Sequence, residues 1–203
     1  YLFSFTPHHA TTASLAVVFL AASSGVLAKI RKREVLYRDA LIIWSIGLIT
    51  NLGFSSVSDQ FSEKFITTGF AIVLISAGIA SLRPPFKDIH SRMPLRTLIL
   101  IALLIGSVTG IFGIGGGFLA IPALVLFFGT PQNIAAGTSL LIISLNSVTA
   151  LLGHYQMWSK VDWHIPAAIA ITAVLVANIA SRAGAFASPA VMRKSFAALL
   201  LSV

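Results

Sequence analysis

The run Gly110-Ile111-Phe112-Gly113-Ile114-Gly115-Gly116-Gly117-Phe118-Leu119-Ala120-Ile121-Pro122 places a glycine cluster and a proline inside an apolar stretch reaching from residue 95 to residue 128. In hydrocarbon, backbone N–H and C=O groups have no water to bond. A helix is broken there only where protein or a water-filled cavity lines the break. Glycine permits the sharp turn and, lacking Cβ, lets another group touch the backbone directly. Discontinuous helices of this kind line solute sites near the middle of a membrane. The cluster therefore predicts a broken, cavity-lining helix.

Composition agrees with a membrane setting. The chain has 203 residues, of which 57% are hydrophobic and 10% charged, with a mean hydropathy of +0.93. Soluble domains carry about 25% charged residues. The net charge of +8 does not point to nucleic acid, because Lys and Arg fall mainly in short segments between apolar runs, as topology determinants do. Cysteine is absent, which excludes disulfides and thiolate metal sites. The N-terminus lacks the basic and apolar regions of a signal peptide, and the last residues fall inside an apolar run. Both ends read as cuts in a longer protein.

A membrane helix needs about 20 mostly apolar residues. Spans are expected at residues 11–28, 40–57 and 65–82, at a broken pair 95–113 and 117–128, at 134–153 and 164–183, and in part from Ser195. Lys29-Ile30-Arg31-Lys32-Arg33 and the segment from Arg83 to Arg96 are basic and belong on the cytoplasmic side. Arg182, Arg193 and Lys194 join them only if residues 95–128 enter and return to one side, as a re-entrant hairpin or two short spans. The loop from His154 to Asp162 then lies on the other side.

Thr6-Pro7-His8-His9-Ala10-Thr11-Thr12-Ala13-Ser14-Leu15 resembles Thr130-Pro131-Gln132-Asn133-Ile134-Ala135-Ala136-Gly137-Thr138-Ser139-Leu140 with one inserted residue. Each copy leads into an apolar helix, a polar loop, and then Val35-Leu36-Tyr37-Arg38 or Val161-Asp162-Trp163-His164. With the topology above, the two copies are inverted, as in many carriers. The expected fold is all-α: a polytopic helical membrane protein with two inverted repeats and glycine-broken, re-entrant helices. Residues 1–82 are the remainder of the first repeat, 83–96 a basic cytoplasmic connection, and 97–203 the second repeat, incomplete at its C-terminus. The glycine block of the first repeat would lie upstream of Tyr1.

The glycine block from Gly110 to Gly117, Pro122, the segment Ala136-Gly137-Thr138-Ser139-Leu140 and Val161-Asp162-Trp163 together resemble the sulfite exporter TauE/SafE-like permeases. The resemblance covers nearly the whole chain. It implies a permease of the bacterial inner membrane for a small sulfur-containing anion such as sulfite or an organosulfonate. The chemistry of the residues suits an anion. A half-helix starting near Gly116 or Gly117 presents unpaired N–H groups and about half a positive charge. One starting near Ala136 adds its own amides and two hydroxyls. The residues expected to touch solute are Gly113, Gly115, Gly116, Gly117, Pro122, Gly137, Thr138, Ser139 and Asn146, with Thr12 and Ser14 as their counterparts in the first repeat.

The plainer reading stands beside this one. Gly, Ser and Thr also let membrane helices pack closely, so Gly110, Gly137 and Ser144 are equally served as contact points. Asn146, Asn51 and Asn178 either join helices or line a route. Trp44, Trp158 and Trp163 read as interfacial anchors, and His154 as a helix-end residue. The glycine block is not a nucleotide loop, since Phe118-Leu119 stands where Lys-Ser/Thr would be required. No carboxylate falls in mid-span, so an acidic proton relay is not visible. No catalytic set, metal cluster or cofactor motif is legible. The expectation is a non-enzymatic carrier without cofactor, whose partners are the anion, the bilayer and, as an open choice, further copies of the chain. A channel-like or non-transporting subunit is the alternative, and an integral-membrane enzyme a more distant one.

Overall fold

The computed structural model describes residues 7–58, 61–82, 94–112, 117–183 and 188–201. Among them the elements are α1 (Pro7–Arg31), α2 (Tyr37–Ser58), α3 (Glu63–Leu82), α4 (Leu95–Phe112), α5 (Gly117–Phe128), α6 (Gln132–Gly153), α7 (His164–Ala183) and α8 (Pro189–Leu201). A short 3-10 helix, Tyr155–Lys160, joins α6 to α7 where the sequence suggested only a loop. The described residues form no strand. The expected apolar runs are thus helices. The break between α4 and α5 falls at the glycine cluster, whose residues 113–116 lie outside the described residues. α8 begins at Pro189 rather than Ser195. Ser188 caps it, its hydroxyl accepting the Val191 N–H at 3.3 Å, and proline is well suited to the first helical position.

Two left-handed residues turn the chain at one end of the bundle. Gly129 (φ 62°) stops α5 and feeds Pro131, which opens α6. Arg33 (φ 56°) stops α1, with its N–H on the Ile30 carbonyl and the Glu34 N–H on the Lys29 carbonyl at 3.0 Å. This C-cap is usually glycine. A side chain there costs about 1 kcal/mol, and the turn brings Glu34 back against α1.

Partner residues give the directions of the helices. Thr12 and Ser23 of α1 and Glu34 just beyond it, in rising order, meet His154 at the end of α6 and Ser144 and Asn133 within it, in falling order. α1 and α6 are therefore antiparallel. In contrast, Gly47 of α2 faces Gly106 of α4, and Asn51 faces Gly110, so α2 and α4 run the same way. Helices α2, α4 and α6 all start at the end of the bundle that holds Glu34. The chain must then leave that end as α4 and return to it as α5, the path that the positive charges required.

The main core joins Ala40 and Ile43 of α2, Leu98, Ile101, Ala102 and Ile105 of α4, Ala120, Leu124, Val125 and Phe128 of α5, and Ala135 and Ile142 of α6. A smaller cluster sets Leu74 and Ala77 of α3 against Leu200 of α8. Outside these, large apolar side chains face outward: Ile49 is 72% exposed, Leu104 64% and Ile179 66%. Contiguous apolar surface on several helices is uncommon on a soluble monomer and is the normal state of a lipid-facing wall. α1 and α6 are each long and apolar enough to cross a membrane.

The α2–α4 contact depends on small residues. A Cβ at Gly106 would strike Thr50 Oγ1 and lie 2.7 Å from Gly47 Cα, whereas one at Gly53 meets nothing within 4 Å. Gly106→Ala should destabilise the fold by about 1–3 kcal/mol, read as lowered thermal stability in detergent. Gly53→Ala should leave the transition in place or raise it slightly. Equal behaviour of the two variants would contradict the close α2–α4 approach.

Candidate functional site

Between α2, α4 and α6 lies a cleft lined by Ile43, Trp44, Gly47 and Asn51, by Ile105, Gly106 and Thr109, and by Ile142 and Asn146. It has about 220 Å³ of empty space, part of it continuous with the outside, and its interior just admits a water-sized group. None of its lining residues is charged. Its polar groups are an indole, two carboxamides and a hydroxyl. Thr109 donates its hydroxyl to the Ile105 carbonyl, so it presents only lone pairs to the cleft. At about 1.5 Å per residue, Asn51 and Asn146 lie roughly 20 Å along α2 and α6 from the Glu34 end. On the same scale α1 measures about 28 Å from Thr12 to Arg31, close to the thickness of a hydrocarbon core. The cleft is thus near mid-depth.

The helix break adjoins it. Thr109 is in the last turn of α4, and α5 starts at Gly117. Gly117 sits so close to α6 that a Cβ would collide with Ile143, which neighbours Ile142 and lies one turn from Asn146. The Ser139 hydroxyl donates to the Gly117 carbonyl at 2.6 Å and holds the start of α5 on α6. The first amides of α5 have no partner within their own helix.

Other expected site residues have different surroundings. Thr138 donates its hydroxyl to the Ile134 carbonyl at 2.8 Å and accepts the Leu36 N–H at 3.1 Å. Gly137 packs under the Glu34 carbonyl. Pro122 is buried inside α5. Thr12 is buried at the far end of the bundle, paired with His154 Nδ1 at 3.1 Å, and the exposed Ser14 donates to the Thr11 carbonyl at 2.9 Å. Ser139 holds Gly117, and Asn146 lines the cleft about two turns further along α6, whereas Thr12 and Ser14 lie at the opposite end from Thr138. Gly113, Gly115 and Gly116 are outside the described residues. Trp44, Gly47, Gly106 and Thr109 were not singled out for the cleft. For Gly47, Gly106 and Thr109 the one signal was small and polar residues in the middle of two apolar runs.

The Glu34 end is closed by a polar clasp. Lys29 Nζ donates to Glu34 Oε2 at 2.7 Å, and Asn133 Nδ2 donates to Oε1 at 2.8 Å. Burial pushes the Glu34 carboxyl up, but the bonds from Lys29 and Asn133 and the charges of Lys29 and Lys32 outweigh it and hold its pKa below the usual value.

An all-α bundle with lipid-facing walls, a broken helix and an uncharged polar cleft near mid-depth is a polytopic membrane protein. The chain belongs to the sulfite exporter TauE/SafE family, whose model matches residues 1–203. It is 31% identical over 166 residues to a probable membrane transporter protein of Xylella fastidiosa, covering 78% of this chain and 63% of that protein. It is 30% identical over 180 residues to the probable membrane transporter protein YunE of Bacillus subtilis, covering 78% and 65%. The chain thus spans less than two thirds of these curated relatives. No solved structure matches it.

A folded pKa below the unfolded one means that the Glu34 contribution is complete above the unfolded value, about 4.3, and is lost as pH falls through the folded value. Glu34→Ala should therefore lower stability by about 1–2 kcal/mol at neutral pH, measured by thermal unfolding. The difference from the unmodified protein should close in acid below that range. A difference that persists undiminished there would show that the carboxylate is not the tie.

Proposed function

We propose that the chain is part of a secondary transporter that moves a small sulfur-containing anion, such as sulfite or an organosulfonate, across the bacterial inner membrane, which it crosses several times. The observation that carries this reading is the uncharged polar cleft beside the start of α5, about 20 Å into the bundle. An anion there would meet neutral donors and the free amides of α5, which favour negative charge at a helix N-terminus. Gly113, Gly115, Gly116 and Gly117 keep their proposed role as the backbone that the anion approaches. Family membership and the names of the relatives support the transporter class.

Two inverted repeats are part of the proposal. Antiparallel packing of α1 on α6, the helices that begin with the matching segments, is what a two-fold axis in the membrane plane would produce. Alternating access would then move one repeat against the other around the cleft, opening the Glu34 clasp on one side and the Thr12–His154 contact on the other.

The full-length protein in proteoliposomes should show saturable sulfite flux that organosulfonates compete with. Linear, unsaturated flux would indicate a channel, and no flux of any sulfur anion in folded protein would remove the substrate class. Gly117→Leu should abolish flux while leaving membrane insertion intact. A tag placed between His154 and Asp162 should be labelled from the periplasm, and labelling only from the cytoplasm would overturn the inverted arrangement.

A further inference from the structure

The chain has three tryptophans, and all three indoles are described. Trp158 Nε1 donates to the Leu151 carbonyl at 3.0 Å and Trp163 Nε1 to the Trp158 carbonyl at 2.9 Å. Trp44 Nε1 is buried and has no acceptor, and among the described residues it is the one buried side-chain polar atom left so. Buried polar groups almost always find a partner, and one that does not requires an explanation. Trp44 lines the α2–α4–α6 cleft. An indole N–H can only donate, so whatever completes it must accept.

We propose that Trp44 is a ligand-binding residue whose Nε1–H donates to an oxygen of the anion held in this cleft. The inference rests on the transporter reading and makes it specific. Recognition at this point is by a neutral, donor-only group. Thr109, its hydrogen already committed to Ile105, faces the same space with lone pairs and disfavours a bare oxyanion oxygen on its own side. The arrangement orients the ligand: its oxygens face Trp44 and the carboxamides of Asn51 and Asn146, and its substituent or protonated oxygen faces Thr109. The ligand class is a small oxyanion with one face of acceptors, such as a sulfonate or a singly protonated sulfite. In the state described, the cleft admits only a water-sized group and the indole N–H is shut off, so the anion reaches Trp44 when α2, α4 and α6 part to admit it.

Trp44→Phe keeps an aromatic ring but removes the N–H together with part of the indole's bulk. Because the donor lacks a protein partner, any loss of thermal stability should be confined to that lost packing. It should raise KM for flux about tenfold, the loss expected for a hydrogen bond to a charged acceptor. Trp158→Phe, which removes a bonded indole, should leave KM unchanged. In the full-length protein with 15N-labelled indoles, the Trp44 resonance, assigned by its loss in Trp44→Phe, should shift saturably on titration with methanesulfonate or sulfite, while those of Trp158 and Trp163 stay in place. An unchanged KM in Trp44→Phe, or a Trp44 resonance indifferent to every anion tested, would overturn the proposal and leave the indole bonded to a fixed water only. A Trp44 shift and flux with nitrate or acetate, but with no sulfur anion, would sustain the binding residue and sink the sulfur reading.

Discussion

The antiparallel seam between α1 and α6 is the constraint on which the rest of the structure depends. Three polar contacts hold it, one at each end and one between, through Thr12–His154, Ser23–Ser144 and Glu34–Asn133. In hydrocarbon, apolar side chains do not drive helices together, since lipid solvates them as well as a neighbour does. Directional bonds and close packing carry that task. Once α1 and α6 are antiparallel, α6 must begin where α1 ends, and the segment that precedes α6 must return to the face from which α4 set out. With α4 set parallel to α2, the interruption at the glycine cluster follows from the seam.

The same economy governs the α2–α4 contact. Gly47, Gly106 and Gly110 bring two backbones so close that a single methyl would not fit at Gly106 or Gly110. Such approach gains dispersion along the whole contact. Gly47 and Gly106 also line the cleft. Reading a membrane glycine either as a packing point or as a site residue sets up a choice that these two positions do not make. The residues that make the close contact also border the opening.

Much of the architecture was legible in the sequence because hydrophobic length and positive charge are local signals. The helices and the return of α5 to the starting face could be read from them, and the break between Phe112 and Gly117 from the glycine cluster. The site was harder to read, for a physical reason. Trp44 looked like an interfacial anchor because aromatic residues near a basic loop usually are, and only the placement of α4 and α6 turns it into a cleft residue. Glu34 looked like one more loop charge, yet the left-handed Arg33 folds it onto Lys29 and Asn133. Thr138 drew attention as a donor, but its hydroxyl is taken by Ile134 and its lone pair by Leu36. Hydrogen-bond partners across helices leave no trace in periodicity.

The lack of a charged residue around the cleft has a mechanistic meaning for a carrier. A buried arginine would hold an anion tightly, but its own desolvation costs several kcal/mol in every state in which the anion is absent. Neutral donors avoid that cost. Each contributes about 0.5–1.5 kcal/mol to a neutral acceptor and about 1.5–3 to a charged one. Two or three such bonds to a charged acceptor give about 3–9 kcal/mol, and less about 4 kcal/mol or more for immobilising the solute they correspond to binding no tighter than the sub-millimolar range. That is strong enough to select an anion from water and weak enough to release it within a transport cycle. A site of indole and carboxamide donors therefore matches turnover better than it matches storage.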